Sequence, residues 1–188
     1  RDDVLQLLSK LIAIDSVNPS LVEGGAGETA IAAFLDAYLQ DLGLTTDRKE
    51  IAPGRWNIVG VLRGTGRGKS LMLNGHIDTV STKGMTIPPL QAVLKDGRVY
   101  GRGALDMKGG LTAILCAIKA VKKAGLKLRG DVVFAGVADE EYASIGTEAV
   151  IRDYNTNGAV ICEPSNLDII VAHKGFAWIR IDVRGKAA

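Results

Sequence analysis

Two nearly unbroken apolar runs, DVVFAGVA at residues 131–138 and GAVIC at residues 158–162, set the narrowest limit on what this chain can fold into. A strand that is apolar at successive positions presents both faces to a core, so its sheet has to be covered by helices on both sides. Segments able to cover it are present. Residues 4–14 carry Val4, Leu7, Leu8, Leu11 and Ile12 at helical spacing, and Asp2 and Asp3 sit at the end where the helix dipole favours negative charge. Asn18-Pro19 stops this helix. From about Glu28, the residues Ile31, Phe34, Leu35, Tyr38, Leu39 and Leu42 form a second stripe that ends at Gly43. After Gly110 a third stripe holds Leu111, Ile114, Leu115, Ile118 and Val121, with Lys119, Lys122 and Lys123 towards its C-terminal end and Gly125 closing it. Shorter β-rich runs occur at LTTDRKEI, WNIVGVLR and SLMLNGHI, and Asp96-Gly97 between two alternating segments predicts a hairpin. TEAVIRDY reads as a short helix; DIIVAHKG and FAWIRIDVRG read as two further strands.

A chain of 188 residues suffices for one domain that buries about 70% of its unfolded surface. The 23 basic and 21 acidic residues are spread along the chain without a basic block, which argues against a nucleic-acid partner. The apolar runs are far shorter than a membrane span, and no leader pattern opens the chain. Cys116 and Cys162 lie inside apolar segments, as core thiols in a reducing compartment do, so the cytoplasm is the expected location. RGTGRGKS at residues 63–70 imitates a phosphate-binding loop, but position 63 is arginine where the pattern needs glycine, and a strand rather than a helix follows.

Four other stretches carry the chemistry, and each also has a bland explanation. In NGHIDTV, His76 and Asp78 follow an apolar strand and point to the same side of an extended chain, so the carboxylate can hold one ring nitrogen while the other binds a metal. Taken alone, a hydrogen-bonded histidine at a strand end accounts for them. In GRGALDMKGG, Asp106 sits between glycine clusters, where the backbone can approach other elements closely. A helix-entry aspartate is the alternative. ADEEYASIG ends a buried strand with Asp139, Glu140 and Glu141, and ICEPS ends another with Glu163. Solvated loop charge explains either one singly. All four on one sheet edge imply a cation, because several carboxylates repel unless something positive lies among them. One histidine with three or more carboxylates suits two divalent ions sharing a carboxylate better than a closed structural zinc site.

GHIDTV, GRGALDMKGG, ADEEYASIGTEA and CEPS, in this order and spacing, resemble the acetylornithine deacetylase, succinyl-diaminopimelate desuccinylase, aminoacylase and carboxypeptidase G family of dinuclear metallohydrolases. The resemblance implies a zinc-peptidase-like α/β fold with a mixed, mostly parallel sheet. It implies that His76 and Glu163 bind one metal, Asp106 bridges both, Glu141 binds the second, Glu140 is the general base and Asp78 orients His76. A cis peptide after Asp106 is implied as well. The cofactors would be two divalent ions, zinc first, with cobalt or manganese as alternatives. The activity would be hydrolysis of an N-acyl amino acid, in the deacetylase/desuccinylase branch, with a peptidase of the same family or a non-catalytic fragment as alternatives.

Against the family pattern the chain stops early. Residues 1–175 correspond to the N-terminal part of the catalytic domain, and residues 176–188 to the first strand of a lid through which the whole protein would form a homodimer. The family's last histidine ligand has no counterpart here; His173 in VAHKG matches no family position and reads as structural. With the second site incomplete, this portion alone is expected to hold one ion and to lack turnover.

Overall fold

A computed structural model describes residues 2–172, 174–175, 177 and 179–186. In chain order the elements are α1 (Asp2–Ala13), α2 (Thr29–Asp41), β1 (Thr45–Ala52), β2 (Arg55–Leu62), β3 (Leu71–His76), β4 (Val93–Lys95) and β5 (Arg98–Tyr100). They continue with α3 (Lys108–Lys123), β6 (Val132–Val137), α4 (Ile145–Asp153) and β7 (Gly158–Ile161). None of the described helices is long and apolar enough to cross a membrane.

The main sheet has the order β1-β2-β6-β3-β7. β3 pairs in parallel with both β6 and β7, while β2 runs antiparallel to β6 and to β1, so β2 alone opposes the common direction. The apolar run of β6 is divided by the period of two between two cores. Phe134 joins Ile58, Ile77 and the inward faces of α1, α2 and α3; Val133, Ala135 and Val137 join Val59, Val61, Met72 and Val150 of α4. Coverage on both faces follows from that run, as the sequence predicts. β4 and β5 form the expected hairpin, turning at Asp96 and Gly97 with φ of 51° and 72°. The basic loop of residues 63–70 hydrogen-bonds through Thr65 and Arg67 to the carbonyls of Leu128 and Arg129 and leads into β3, with no helix behind it.

Three expectations change. First, α3 begins at Lys108, so Gly109 and Gly110 lie inside its first turn. A Cβ at Gly109 would strike the carbonyl of Ala104, and one at Gly110 the carbonyl of Cys162. The glycines allow the close approach that the sequence predicts, from inside the helix and not ahead of it. Second, β7 is exposed along its length, because it lies at the sheet edge and, among the described residues, pairs with β3 alone. Third, the strands expected at residues 168–175 and 176–185 are absent among the described residues. Ile169, Val171, Ile179, Ile181 and Val183 are 80–93% exposed. Apolar alternation gives a stable strand only when a neighbour pairs and covers it, and none of the described elements does so here. His173 lies outside the described residues.

An isolated parallel bridge, Val17 to Thr79, fixes the chain after α1 against the chain after β3. The amide of Asn18 donates to the Thr79 carbonyl at 2.9 Å, and Thr79 N–H donates to the Ser16 carbonyl at 3.0 Å. This small ladder carries Asn18 to the end of β3.

Candidate metal centre

His76 is the last residue of β3 and is 1% exposed. Its Nδ1 lies 2.9 Å from the Asp78 backbone carbonyl, which can only accept, so Nδ1 carries a proton and donates. An Asp78 carboxylate oxygen is 3.5 Å from the same nitrogen. Nε2 faces the open side of the sheet edge, 3.0 Å from Asp106 Oδ1, 3.7 Å from Glu163 Oε1 and 3.9 Å from Glu140 Oε2. One ligand atom each from His76, Asp106 and Glu163 lies within 4.8 Å of the others. Glu141 falls outside that triad. Its backbone N–H donates to Asp78 Oδ2 at 3.3 Å, and its side chain is coupled to Asp106 and His76 through charge.

The fold brings these residues together because β3, β6 and β7 run in parallel. His76 ends β3, Glu140 and Glu141 follow β6, and Glu163 follows β7, all at the carboxyl ends where open α/β sheets bind ligands. Asp106 arrives from the side, in the turn that enters α3. The Asp106–Met107 peptide is cis. Buried Met107 accepts the backbone N–H of His76 on its sulfur at 3.1 Å. Lys108, 1% exposed, donates its ammonium to the Ile14 carbonyl at 2.7 Å, and burial lowers its pKa to about 8.

Beneath His76 lies a buried polar network. Asp78 accepts from Asn18 Nδ2 at 2.6 Å and from the N–H of Glu140 at 3.1 Å. Asn18 Nδ2 also donates to Asp139 Oδ1 at 3.1 Å, and Arg55 pairs with that same oxygen at 2.8 Å. The Arg55 guanidinium forks onto both oxygens of Glu28, at 2.8 and 2.6 Å. Asp139 has φ of 65°, and its carbonyl accepts the N–H groups of Ala143 and Ser144, so it is the post from which the loop carrying Glu140 and Glu141 springs. Of this network, sequence reasoning gave a role at the site to Asp78 alone. Asn18 reads from sequence as a helix stop and Glu28 as a helix start, and Arg55 has no local signature; their partners lie 27 to 121 residues away.

The charges are unevenly compensated. Burial acts to lower the His76 pKa, but hydrogen bonds donated by its ring to Asp106 and Asp78 and the charges of Asp78 and Glu163 push it up to about 11. The His76 hydrogen bond holds Asp106 below the usual carboxylate range. Burial, with the neighbouring carboxylates, raises Glu141 and Glu163 to about 7 although His76 opposes it. Carboxyl groups that hold protons near neutrality mark a shortage of positive charge.

This donor set fits a divalent cation. With Nδ1–H engaged by the Asp78 carbonyl, Nε2 is the ring atom left to bind, and the carboxylates supply hard oxygen donors together with the negative charge a cation would balance. An α/β sheet with such a cluster at the carboxyl ends of its strands is a scaffold suited to holding a divalent cation. The chain belongs to Peptidase family M20/M25/M40, whose sequence pattern matches residues 72–183. It is 32% identical to the N-formyl-4-amino-5-aminomethyl-2-methylpyrimidine deformylase of Bacillus subtilis, over 90% of this chain and 40% of the relative. It is 34% identical to the succinyl-diaminopimelate desuccinylase of Gluconacetobacter diazotrophicus, over 96% of this chain and 49% of the relative. Carboxypeptidase G2 of a Pseudomonas species is 32% identical, over 98% and 45%. The chain thus spans less than half the length of each of these relatives. In fold it resembles human carnosine dipeptidase 1, with a TM-score of 0.74 at 23% identity over 85% of this chain and 38% of that one.

Proposed function

We propose that the chain is the catalytic portion of a metal-dependent amide hydrolase that removes an N-acyl group from an amino acid or similar small amine. The observation that carries this reading is the convergence of His76, Asp106 and Glu163, with ligand atoms within 4.8 Å, beside Glu140 and Glu141. Two relatives at 32% and 34% identity, a deformylase and a desuccinylase, are named for removing acyl groups, which favours deacylation. The carboxypeptidase at 32% identity makes peptide hydrolysis the second reading.

In this proposal His76, Asp106 and Glu163 hold one divalent ion, and Asp106 and Glu141 contribute to a second. Zinc is the first candidate, with cobalt and manganese as alternatives. When bound, the metal supplies polarisation of the scissile carbonyl and a water acidified towards neutrality. The chain's own groups do the rest. Asp78 keeps the His76 ring oriented with Nε2 outward. Glu140 is half exposed beside Nε2 and takes a proton from the attacking water, then returns it to the leaving amine. Asp106 would contribute its carboxylate to both ions. The same proposal has a further histidine complete the second site and the whole protein act as a homodimer through a lid domain. The substrate is an N-acyl amino acid or short peptide, and the setting is the cytoplasm.

Zinc titration of the 188-residue chain by calorimetry, beside a substrate panel on protein extended to the relatives' length, tests this. The expected result is one tight equivalent in the short chain, and turnover of N-formyl, N-acetyl or N-succinyl amino acids by the long one. Absence of zinc binding by the short chain would remove the metal assignment. Turnover of dipeptides alone would favour the second reading.

A further inference from the structure

We propose that Asn18 is a positioning residue that ties the His76 side of the centre to the loop bearing Glu140 and Glu141. The inference rests on the metal-site reading above and adds a residue to it that touches no proposed ligand.

Asn18 is fully buried, and each of its polar groups is committed. Its side-chain carbonyl accepts the N–H of Ser20 at 2.8 Å. Its backbone N–H donates to the Thr79 carbonyl at 2.9 Å, which anchors it to the chain immediately after Asp78. The two hydrogens of Nδ2 then point at two different carboxylates, Asp78 Oδ2 at 2.6 Å and Asp139 Oδ1 at 3.1 Å. Reversing the amide would set its oxygen against both, so its orientation is fixed by charge.

These two carboxylates have separate duties. Asp78 faces His76 Nδ1 and accepts the N–H groups of Glu140 and Glu141, at 3.1 and 3.3 Å. Asp139 starts the loop that carries those glutamates and is held from the other side by Arg55. Two buried carboxylates brought together repel each other strongly where the effective dielectric is low. Arg55 neutralises Asp139 and Glu28 but has no described bond to Asp78. A neutral group with two hydrogens on one nitrogen bridges the pair without adding charge, which among the common side chains an amide does and a hydroxyl cannot. Asn18 thereby sets the distance between the residue that aims His76 and the residue that aims Glu140 and Glu141.

Cobalt(II) titration of the 188-residue chain tests this, followed by calorimetry and by the visible spectrum of the bound ion, with the unfolding midpoint of the metal-free chain measured in parallel. Residues behind a metal ligand typically change affinity about 10- to 100-fold, and Asn18 acts one step further back, so Asn18→Ala is expected to weaken cobalt binding about tenfold and to change the spectrum. Asn18→Ser keeps one donor and should fall between Ala and the parent chain. Asn18→Asp sets a third carboxylate against the other two and should show the largest loss. Parental affinity and spectrum in the folded Ala or Ser variant would overturn the proposal. So would a Ser variant too unstable to fold, since the residue would then serve the fold and not the site. Failure of the parent chain to bind cobalt would instead remove the metal-site reading itself.

Discussion

Below His76 the charged groups are buried and matched: Glu28 with Arg55, Arg55 with Asp139, and Asp78 with Asn18 and two backbone N–H groups. Above it the side chains of Asp106, Glu140 and Glu163 are 39–53% exposed and face one another, with His76 as their shared cationic neighbour. The difference follows from solvation. A charge removed from water must find partners within the protein, so the floor is fixed by folding itself. Partly hydrated carboxylates can stay close with modest repulsion until a cation arrives, so the rim is free to be assembled for chemistry. The floor is fixed by folding and holds the rim in place, and the rim faces the ligand.

The sharpest way to break this comparison is Arg55→Met. It leaves the Glu28 and Asp139 carboxylates buried without a cation, and removing one partner of a buried pair destabilises by about 3–5 kcal/mol. Urea unfolding of this variant and of Asp106→Asn should give very different results, because a half-exposed rim substitution is expected to change stability by no more than about 1 kcal/mol. Equal losses in the two variants would mean that floor and rim do not divide the work.

A second pair sharpens the rim. Glu140→Gln in the extended protein should keep its metal and lose turnover by a factor of about 100 to 10,000, the usual contribution of a general base. Glu141→Gln should lose metal as well as activity. Identical metal content, measured by elemental analysis, together with identical rates would cancel the distinction between these neighbours.

The pH dependence of metal binding has a smaller expected effect. In the metal-free chain His76 holds its proton up to about pH 11, and Glu141 and Glu163 hold theirs up to about 7. Binding at Nε2 must displace the His76 proton, so zinc affinity should rise roughly tenfold per pH unit through neutrality. The rise should be steeper below about pH 7, where carboxyl protons must leave too. Calorimetry in buffers of different ionisation enthalpy counts the protons released. A pH-independent affinity between 6 and 8 would contradict the charge shortage assigned to the rim.

The smallest expected effect lies away from both regions. Lys49 and Asp153 form an exposed ion pair at 2.7 Å, and Lys49→Ala should lower the urea or thermal unfolding midpoint only slightly, and less as salt is added. A loss as large as that of Arg55→Met would show that exposure is not what separates weak from strong pairs in this protein.

The rim was the legible part of the site. His76, Asp106, Glu140-Glu141 and Glu163 each end a recognisable apolar element or flank a glycine cluster, so they can be found by reading along the chain. Local pattern also located the four helices and the strands up to residue 161, with differences of a few residues at their ends. It failed where an element's state depends on a neighbour. The alternation in FAWIRIDVRG is a strand signal, yet its described residues are exposed and unpaired, because period-two patterning specifies a face and not the partner that covers it. The glycine cluster announced a close backbone approach, and only the fold shows that Gly110 meets Cys162, 52 residues further along the chain (162 − 110).

Sequence alone therefore determined the apolar periods, the turn and helix stops, and the residue types at the strand ends, because these rest on interactions within a few residues along the chain. Tertiary structure alone decided that Asn18, Glu28, Arg55 and Asp139 stand beneath His76 as one network. Their type is ordinary at their own positions. The meaning of each comes from groups tens of residues away that share the same buried volume, where an unpaired charge is too unfavourable to keep and every donor must find its acceptor.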